Sequence, residues 1–93
     1  MIEEILTVEK EDIATLTFPK TDVLEDINEI KMRLSEINRA LALGNLEHSK
    51  IKIFFEDSES KKMVHTTVWA VTDKNVVLKQ GVLIPIHRIY KLF

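Results

Sequence analysis

The side chains that could do chemistry in this sequence are three histidines, 15 carboxylates and 13 lysines and arginines, with no cysteine among 93 residues. His48, His65 and His87 show none of the short spacings that place two metal ligands on one helical turn or one hairpin. No serine stands in the sequence context of a nucleophile elbow, and two glycines are too few for a phosphate-binding loop. The sequence therefore predicts no catalytic residue, no metal site, no cofactor and no small-molecule substrate, and we expect a binding protein rather than an enzyme.

Charge is distributed unevenly along the chain. Residues 1–45 carry ten acidic and five basic side chains, whereas residues 46–93 carry five acidic and eight basic ones, within a net charge of −2. A basic C-terminal half favours anionic partners such as nucleic acid. The alternative interpretation is that this small surplus of positive charge is the ordinary surface charge of a small domain.

The composition, 45% hydrophobic and 30% charged, is typical of a single globular domain that spans residues 1–93. No apolar run approaches the roughly 20 residues needed to cross a membrane. The acidic start of the chain, Met1–Leu6, lacks the positive charge of a secretory signal. We therefore expect a cytoplasmic protein that makes no contact with membranes.

The C-terminal half, residues 50–93, has the pattern of closely spaced strands separated by turn sequences. Strands this short, with turn signals this close, predict a small barrel that closes on itself. The five predicted strands are Lys50–Phe55, Met63–Val71, Val76–Leu78, Val82–Ile84 and Ile89–Phe93.

A long helix is predicted over residues 19–44. Thr21 or Asp22 can accept hydrogen bonds from the first free N–H groups of the helix. Gly44–Asn45 supplies a C-terminal stop. The helical part, residues 21–43, would measure roughly 33 Å at 1.5 Å per residue, which is long for so small a domain.

Apolar residues recur along this helix at alternating intervals of four and three, which is a heptad pattern. Such a pattern is typical of a helix that pairs with a second copy of itself or with a helix of another protein. The alternative is a single helix laid across the barrel, with its apolar side as intramolecular core. The first interpretation predicts an interface formed by Val23, Ile27, Ile30, Leu34, Ile37 and Leu41.

Residues 1–18 are predicted to form an arm or a short strand. The alternating stretch Ile13–Phe18 suits a short edge strand or an extended arm. The apolar residues Ile2, Ile5 and Leu6 fit either a short helix or a strand.

Basic side chains of the strand-rich half supply a candidate contact surface. In the first strand Ile51, Ile53 and Phe55 should face the core, which leaves Lys50, Lys52 and Phe54 on the outer side, where a phosphate backbone could reach the two lysines. Solubilising charge on an exposed strand is the alternative. The residues predicted to contact nucleic acid are Lys50, Lys52, Lys74, Lys79, His87, Arg88 and Lys91.

Pro85 should end the fourth strand because it has no N–H group to donate to a ladder. The next residues, Ile86–Arg88, are therefore predicted to form a tight 3₁₀-like turn. This turn would project His87 and Arg88 outward as a rigid contact site. The alternative is a capping turn in which Arg88 pairs with Asp73 or with an acid of the first hairpin.

Two further interpretations concern exposure to solvent. Trp69, flanked by Val68 and Ala70, is interpreted as core, and a stacking platform for a nucleic-acid base is the alternative. The charged segment Glu56–Lys62 is interpreted as a solvated, mobile hairpin tip.

A helix followed by five short strands resembles the Sm-like and SH3-like small barrels. The order runs from Ile51–Ile53 in the first strand, through Asp73 at the turn after the second, to Val76–Leu78 in the third, and the resemblance covers residues 51–92. Within that group the chain looks most like the bacterial Sm-like RNA chaperones or the Sm-like inhibitors of the transcription terminator Rho, and His87 is similar to the histidine of the chaperones' signature. The resemblance implies a separate bacterial family built on the same barrel.

Together these patterns predict an α+β protein, mostly β, in which a long N-terminal helix packs on a five-stranded SH3-like, or Sm-like, barrel. We expect a homodimeric, non-enzymatic binding or regulatory module. Its partner would be RNA or a protein of the transcription or translation machinery, bound through the basic face of the barrel. The alternative is a protein-interaction or homodimerisation module that acts through the heptad-patterned helix 21–43.

Overall fold

The computed structural model describes residues 4–93, which form an α+β fold with one long helix and seven strands in two sheets. The elements are β1 (Leu6–Thr7), α1 (Lys10–Ile13), α2 (Ile27–Glu47), β2 (Ile51–Glu56), β3 (Lys61–Thr66), β4 (Val68–Val71), β5 (Asn75–Leu78), β6 (Leu83–Pro85) and β7 (Ile89–Leu92). Two 3₁₀ turns, Lys79–Gly81 and Ile86–Arg88, flank β6, and the second is the turn predicted after Pro85. The α+β class with a long helix before a strand-rich half is thus confirmed. Among the described residues, no helix combines the length and the apolar character needed to cross a membrane.

The strands are arranged in two sheets. The first has the order β1-β3-β2-β7 and the second has the order β4-β5-β6. The short β1 runs parallel to β3, and all other pairs are antiparallel. Neither sheet closes on itself within residues 4–93, so the predicted closed barrel of five strands is not confirmed. The ladder is interrupted at Thr67, which separates β3 from β4, and at the 3₁₀ turn between β6 and β7.

The core lies between the two sheets and beneath α2. On β2 the inward side chains are Ile51, Ile53 and Phe55, as the alternation predicted. Complete burial of each such side chain contributes about 1.5–3 kcal/mol to the stability of the fold. The other sheet and the last strand supply the buried residues Val68, Val76, Leu78, Ile84, Ile89 and Leu92.

Helix α2 begins at Ile27, well after the predicted start at residue 19. Asp26 is its N-cap, and its Oδ1 accepts hydrogen bonds from the N–H groups of Asn28 (2.7 Å) and Glu29 (3.2 Å). The carboxylate of Asp22, one of the two predicted caps, instead accepts a hydrogen bond from the Leu24 N–H and forms an ion pair with Arg33 of the helix. Residues 14–26 consequently form an irregular connecting segment rather than the first turns of the helix.

The other end of α2 also differs from the prediction, because the helix continues through Gly44 to Glu47. A Cβ atom on Gly44 would lie 2.0 Å from the carbonyl oxygen of Val68. Glycine is therefore needed at this position because α2 and β4 lie too close together for a side chain, and it does not end the helix. His48 ends the helix in the left-handed conformation, with φ of 54°.

The predicted heptad interface is divided between core and solvent. Ile37 is fully buried, whereas Ile27 and Leu34 are 60% and 55% exposed. Ile30 and Leu41 are half-buried, and Val23 lies in the connecting segment before the helix. The buried side of α2 is formed by Arg33, Ile37, Ala40 and Gly44, and it packs on β4 and β7.

The stretch Ile13–Phe18, predicted as a short edge strand or an extended arm, is not a strand. The strand in this region is β1, and Ile13 is a buried residue at the end of the one-turn helix α1. Thr17 lies in the connecting segment, where its carbonyl oxygen accepts a hydrogen bond from the Ser58 N–H (2.8 Å). The predicted role of Ile2 lies outside the described residues.

Candidate nucleic-acid interface

The outer side of β2 carries a row of basic and aromatic side chains. On β2 Lys52 is exposed and Phe54 is half-buried, because they alternate with the three core residues of the strand. Lys50, the residue before β2, continues this alternation and is also exposed. In the antiparallel pair with β3, Lys52 lies opposite the exposed His65. Residues directly opposite each other in such a pair project their side chains to the same face of the sheet. The positions of Lys50 and Lys52 match the prediction.

The C-terminus completes this surface. Lys91 lies opposite Phe54 in the pairing of β2 with β7. Beyond β7, Phe93 exchanges two backbone hydrogen bonds with Lys52, at 3.0 and 2.9 Å, and its side chain is 59% exposed. We call Lys50, Lys52, Phe54, His65, Lys91 and Phe93 the basic-aromatic face.

The aromatic rings of this face are in contact with one another and with lysine. The rings of Phe54 and Phe93 are perpendicular, with centroids 5.6 Å apart, and the Tyr90 ring lies 6.2 Å from Phe54. The Lys91 ammonium lies 4.4 Å from the centroid of Phe93, within the range of a cation–π interaction. These contacts hold exposed rings and positive charge side by side.

A hollow of about 400 Å³ adjoins this face and shares Lys50 and His65 with it. The remaining lining comes from separate parts of the chain: Glu9 and Lys10 near the N-terminus, His48 after α2, Thr66 and Thr67 at the β3–β4 break, Trp69 on β4, and Lys79 after β5. The Thr67 hydroxyl donates a hydrogen bond to the His48 carbonyl oxygen (3.2 Å), which fixes the end of α2 against the break between β3 and β4. The hollow thus brings two predicted lysines, Lys50 and Lys79, into one site.

The interpretation of Trp69 as a core residue is wrong. The residue is 50% exposed, because β4 turns its Val68 side chain into the core and presents the indole to the hollow. This exposure leaves the ring accessible, as the alternative, a stacking platform for a base, requires, and the stacking itself stays a prediction.

The prediction that His87 and Arg88 project outward is wrong. Arg88 is 5% exposed, and it donates hydrogen bonds to the carbonyl oxygens of Glu56 (2.9 Å) and Thr21 (2.8 Å). Its guanidinium also lies 3.8 Å from the Glu56 carboxylate, so the alternative of pairing with a hairpin acid is confirmed. The Nε2 of His87 lies 2.9 Å from the carbonyl oxygen of Pro19. Since a carbonyl can only accept, this nitrogen carries the proton, and both side chains bind the connecting segment instead of solvent.

Arg33 holds the same segment from the side of α2. Its two terminal nitrogens donate to the two carboxylate oxygens of Asp22, each at 2.8 Å, and Nη1 also donates to the Ile89 carbonyl oxygen (3.0 Å). Hydrogen bonds from Arg33 hold the pKa of Asp22 below its usual value, against the smaller opposing effect of partial burial. The side chains of Arg33, His87 and Arg88 therefore hold the connecting segment in place, and they are not part of the exposed basic surface.

The hairpin between β2 and β3 is ordered around a buried ion pair, which the interpretation as a solvated tip did not anticipate. The Lys62 ammonium donates to both carboxylate oxygens of Asp57 at 2.9 Å, and the two side chains are 8% and 2% exposed. Burial works to raise the pKa of Asp57, but hydrogen bonds from Lys62 and from the Ser60 and Glu59 N–H groups outweigh it and lower the pKa. Lys62 is thus also excluded from the contact surface.

Lys74 lies apart from the other predicted contact residues. It occupies the turn between β4 and β5 and lines a different hollow, together with Arg33, Pro85 and His87. Of the seven residues predicted to contact nucleic acid, Lys50, Lys52 and Lys91 lie on the basic-aromatic face and Lys79 lines the adjoining hollow with Lys50. Lys74, His87 and Arg88 lie elsewhere.

Phe54 and Phe93 were not among the residues predicted to contact nucleic acid. The period of two placed Phe54 on the outer side of the first strand with Lys50 and Lys52, so its part in this surface could have been predicted. The position of Phe93 depends on the pairing of β7 with β2, and that of His48 on where α2 ends. Those two relationships have no local sequence signal.

Within the described residues no group of three or more histidine, aspartate or glutamate side chains is arranged to hold a metal ion. Comparison with known proteins gives no match to this chain, whether with family models, with curated proteins or with solved structures.

Proposed function

We propose that this protein is a non-enzymatic module that binds single-stranded RNA on its basic-aromatic face. The observation that carries the proposal is the arrangement of Lys52, Lys91, Phe54 and Phe93, where exposed positive charge and aromatic rings share one side of a sheet. Lysines attract the phosphate backbone, and aromatic rings stack on unpaired bases with about 1–3 kcal/mol per base. A basic surface with stacking rings is the common design of single-strand binding proteins.

The rigidity of the supporting sheet favours this function. The face stands on β2, whose opposite side is fixed in the core by Ile53 and Phe55. Two backbone hydrogen bonds with Lys52 also anchor Phe93. A partner strand would therefore meet a surface that is already ordered, which reduces the entropy lost on binding.

We further propose that residues 51–92 are a small barrel of the SH3-like type, as the resemblance to Sm-like proteins implies. In this interpretation β3 and β4 are two halves of one strand, bent at Thr67, so that the two sheets share it. The 3₁₀ turn Ile86–Arg88 would then lead from the fourth strand to the fifth, β7, which pairs with the first, β2.

Fluorescence anisotropy with a labelled single-stranded RNA of mixed sequence tests the proposal. We expect saturable binding at low salt that weakens steeply as salt is added, because bound cations are released from the RNA. Single-stranded DNA of the same sequence and an RNA duplex serve as comparisons. An absence of binding to the single-stranded RNA at low salt would sink the proposal.

A second candidate function is association through α2. Ile27 and Leu34 are more than half exposed and, seven residues apart, lie along one line of the helix with the half-buried Leu41. An exposed apolar row on a helix is a feature of surfaces that bind a second helix. A Leu34→Glu variant, measured by sedimentation velocity against the parent chain, tests this. A dimer that dissociates while the variant stays folded would support association, and a parent chain that is monomeric at high concentration would exclude self-association.

A further inference from the structure

We infer that the hollow beside Trp69 binds a single phosphorylated nucleotide. Its base would stack on the Trp69 indole and its phosphate would be held by Lys50 and Lys79. The inference rests on the proposed function, since the hollow and the basic-aromatic face share Lys50 and His65. It goes further in assigning one part of that surface to one nucleotide with a free phosphate group.

The size of the hollow and its enclosing walls suit a single nucleotide better than a nucleic-acid strand. Its volume of about 400 Å³ falls within the roughly 300–1,000 Å³ of pockets that bind small ligands. Its walls come from β3, β4, the connection between α2 and β2, the N-terminal residues Glu9 and Lys10, and the turn after β5. The basic-aromatic face, in contrast, is the open side of one sheet. A strand can extend along that face, but only a terminal or separate nucleotide can enter a concave site.

The charges of the hollow identify where an anion would lie. Within residues 4–93 neither Lys50 nor Lys79 forms an ion pair, so their charge is available to a ligand. Lys10 is already bound to Glu11 at 2.6 Å, and Glu9 adds a negative charge on the same side. The phosphate is therefore assigned to Lys50 and Lys79, away from the N-terminal turn.

The indole identifies where a base would lie. Trp69 is half exposed and lines the hollow, although an indole in a sheet is usually protected from water. Stacking of a base would cover this ring. The side chains of His48 and His65 add ring nitrogens that can donate or accept hydrogen bonds at the same site.

Because Trp69 is the single tryptophan of the chain, its fluorescence reports on the hollow alone. We expect uridine and adenosine monophosphate to quench it saturably. The corresponding nucleosides should bind at least about tenfold more weakly, since they lack the phosphate, and inorganic phosphate should compete without quenching. Quenching that is equal for nucleoside and nucleotide would contradict the assignment of the lysines.

Variants of the hollow test the individual assignments. Lys79→Gln should weaken binding of the monophosphate by roughly fivefold or more, whereas Glu9→Gln should strengthen it, because a repelling carboxylate is removed. Lys31→Gln, at an exposed position of α2, is the matched control and should change nothing. Equal loss in Lys79→Gln and Lys31→Gln would show an effect of net charge and would refute the site.

Oligonucleotides with and without a terminal phosphate distinguish the end of an RNA strand from a free nucleotide as the ligand of the hollow. If the hollow holds the end of a strand, an oligonucleotide with a terminal 5′- or 3′-phosphate should bind about tenfold more tightly than its unphosphorylated form and should quench Trp69. If it holds a free nucleotide, only the monophosphate should quench. If anisotropy shows RNA binding but neither the monophosphate nor the phosphorylated oligonucleotide changes Trp69 fluorescence, this inference is overturned and the proposed function is not. Quenching by the monophosphate without any RNA binding would instead overturn the proposed function and leave a nucleotide site.

Discussion

Lys52 and Phe93 exchange two backbone hydrogen bonds, from the Lys52 N–H to the Phe93 carbonyl oxygen at 3.0 Å and from the Phe93 N–H to the Lys52 carbonyl oxygen at 2.9 Å. Residues paired in this way place their side chains on the same face of a sheet. The C-terminal ring is thereby held beside a lysine that has no ion pair among the described residues. This pairing joins the charge and the ring on which the proposed RNA interface depends.

Replacement of Phe93 by alanine should weaken RNA binding and leave the fold intact. The ring is mostly exposed, and the two hydrogen bonds that anchor the residue come from its backbone. Loss of one stacking ring costs about 1–3 kcal/mol, which corresponds to a reduction of affinity of roughly 5- to 150-fold. Anisotropy measures the affinity, and Leu83→Ala, an exposed apolar residue of the other sheet, is the control. Equal affinities for the parent chain and Phe93→Ala would show that the Phe93 ring does not contact the RNA.

Replacement of Lys52 by glutamine should reduce the salt dependence of RNA binding. If its ammonium neutralises one phosphate, the slope of log affinity against log salt concentration should become shallower by about one. Lys31→Gln on α2 has the same change in net charge and should keep the slope of the parent chain. Identical slopes in the two variants would mean that Lys52 touches no phosphate.

Replacement of Gly44 by alanine should destabilise the protein, although alanine is the better helix former. Helix propensity alone would make this change stabilising by about 1 kcal/mol. The added Cβ, however, would lie 2.0 Å from the Val68 carbonyl oxygen, and overpacking of this kind costs about 1–3 kcal/mol. Urea unfolding gives the sign, and Asn45→Ala, at the exposed neighbouring position, should leave stability equal or slightly higher. A stabilised Gly44→Ala variant would show that α2 can move away from β4 at no cost.

The buried pair of Asp57 and Lys62 should make stability fall at acid pH. The pKa of Asp57 is lowered in the folded state, so the stabilisation it provides is complete above the pKa of the unfolded chain, about 3.9, and is lost as the pH falls through the lower folded value. Urea unfolding at pH 7, 5, 4 and 3 should show a plateau followed by a decrease. Asp22, whose pKa is also lowered, contributes a decrease of the same sign.

The Asp57→Asn variant distinguishes the contribution of Asp57 to this loss of stability from that of Asp22. At pH 7 it should lose about 3–5 kcal/mol, because the Lys62 ammonium is left buried without its partner. Its remaining decrease below pH 5 should be smaller than that of the parent chain. The double variant Asp57→Asn/Lys62→Met should recover part of the loss, and a failure to recover any would indicate that the Asp57 hydrogen bonds to Ser60 and Glu59 dominate instead.

The sequence predicted most reliably what depends on neighbouring residues. The alternation from Lys50 to Phe55 identified both faces of β2, and the missing N–H of Pro85 located the 3₁₀ turn that follows it. Both patterns are enforced by local geometry, since side chains of a strand alternate and proline cannot donate. The predicted class of the fold followed from the same patterns.

The failures concern residues whose role is set by distant partners. Asp22 has the sequence signature of a helix cap, but Arg33, eleven residues later, binds it, and the helix begins at Ile27 with Asp26 as its N-cap. Gly44 has the signature of a helix stop, but the carbonyl of Val68 requires it. Arg88 resembles an exposed cation, and its partners Thr21 and Glu56 lie 67 and 32 residues away. None of these relationships can be read from spacing alone.

Chemical-shift mapping with single-stranded RNA on the isotope-labelled chain locates the bound surface residue by residue, and it is the sharpest test of RNA binding on the basic-aromatic face. We expect the perturbed backbone amides to cluster at residues 50–54, at His65 and its neighbours, and at Lys91–Phe93. Amides around Lys74 and along residues 27–34 of α2 should remain unchanged. Perturbations that centre on α2, or that are absent at RNA concentrations where anisotropy reports saturation, would show that the RNA does not bind this face.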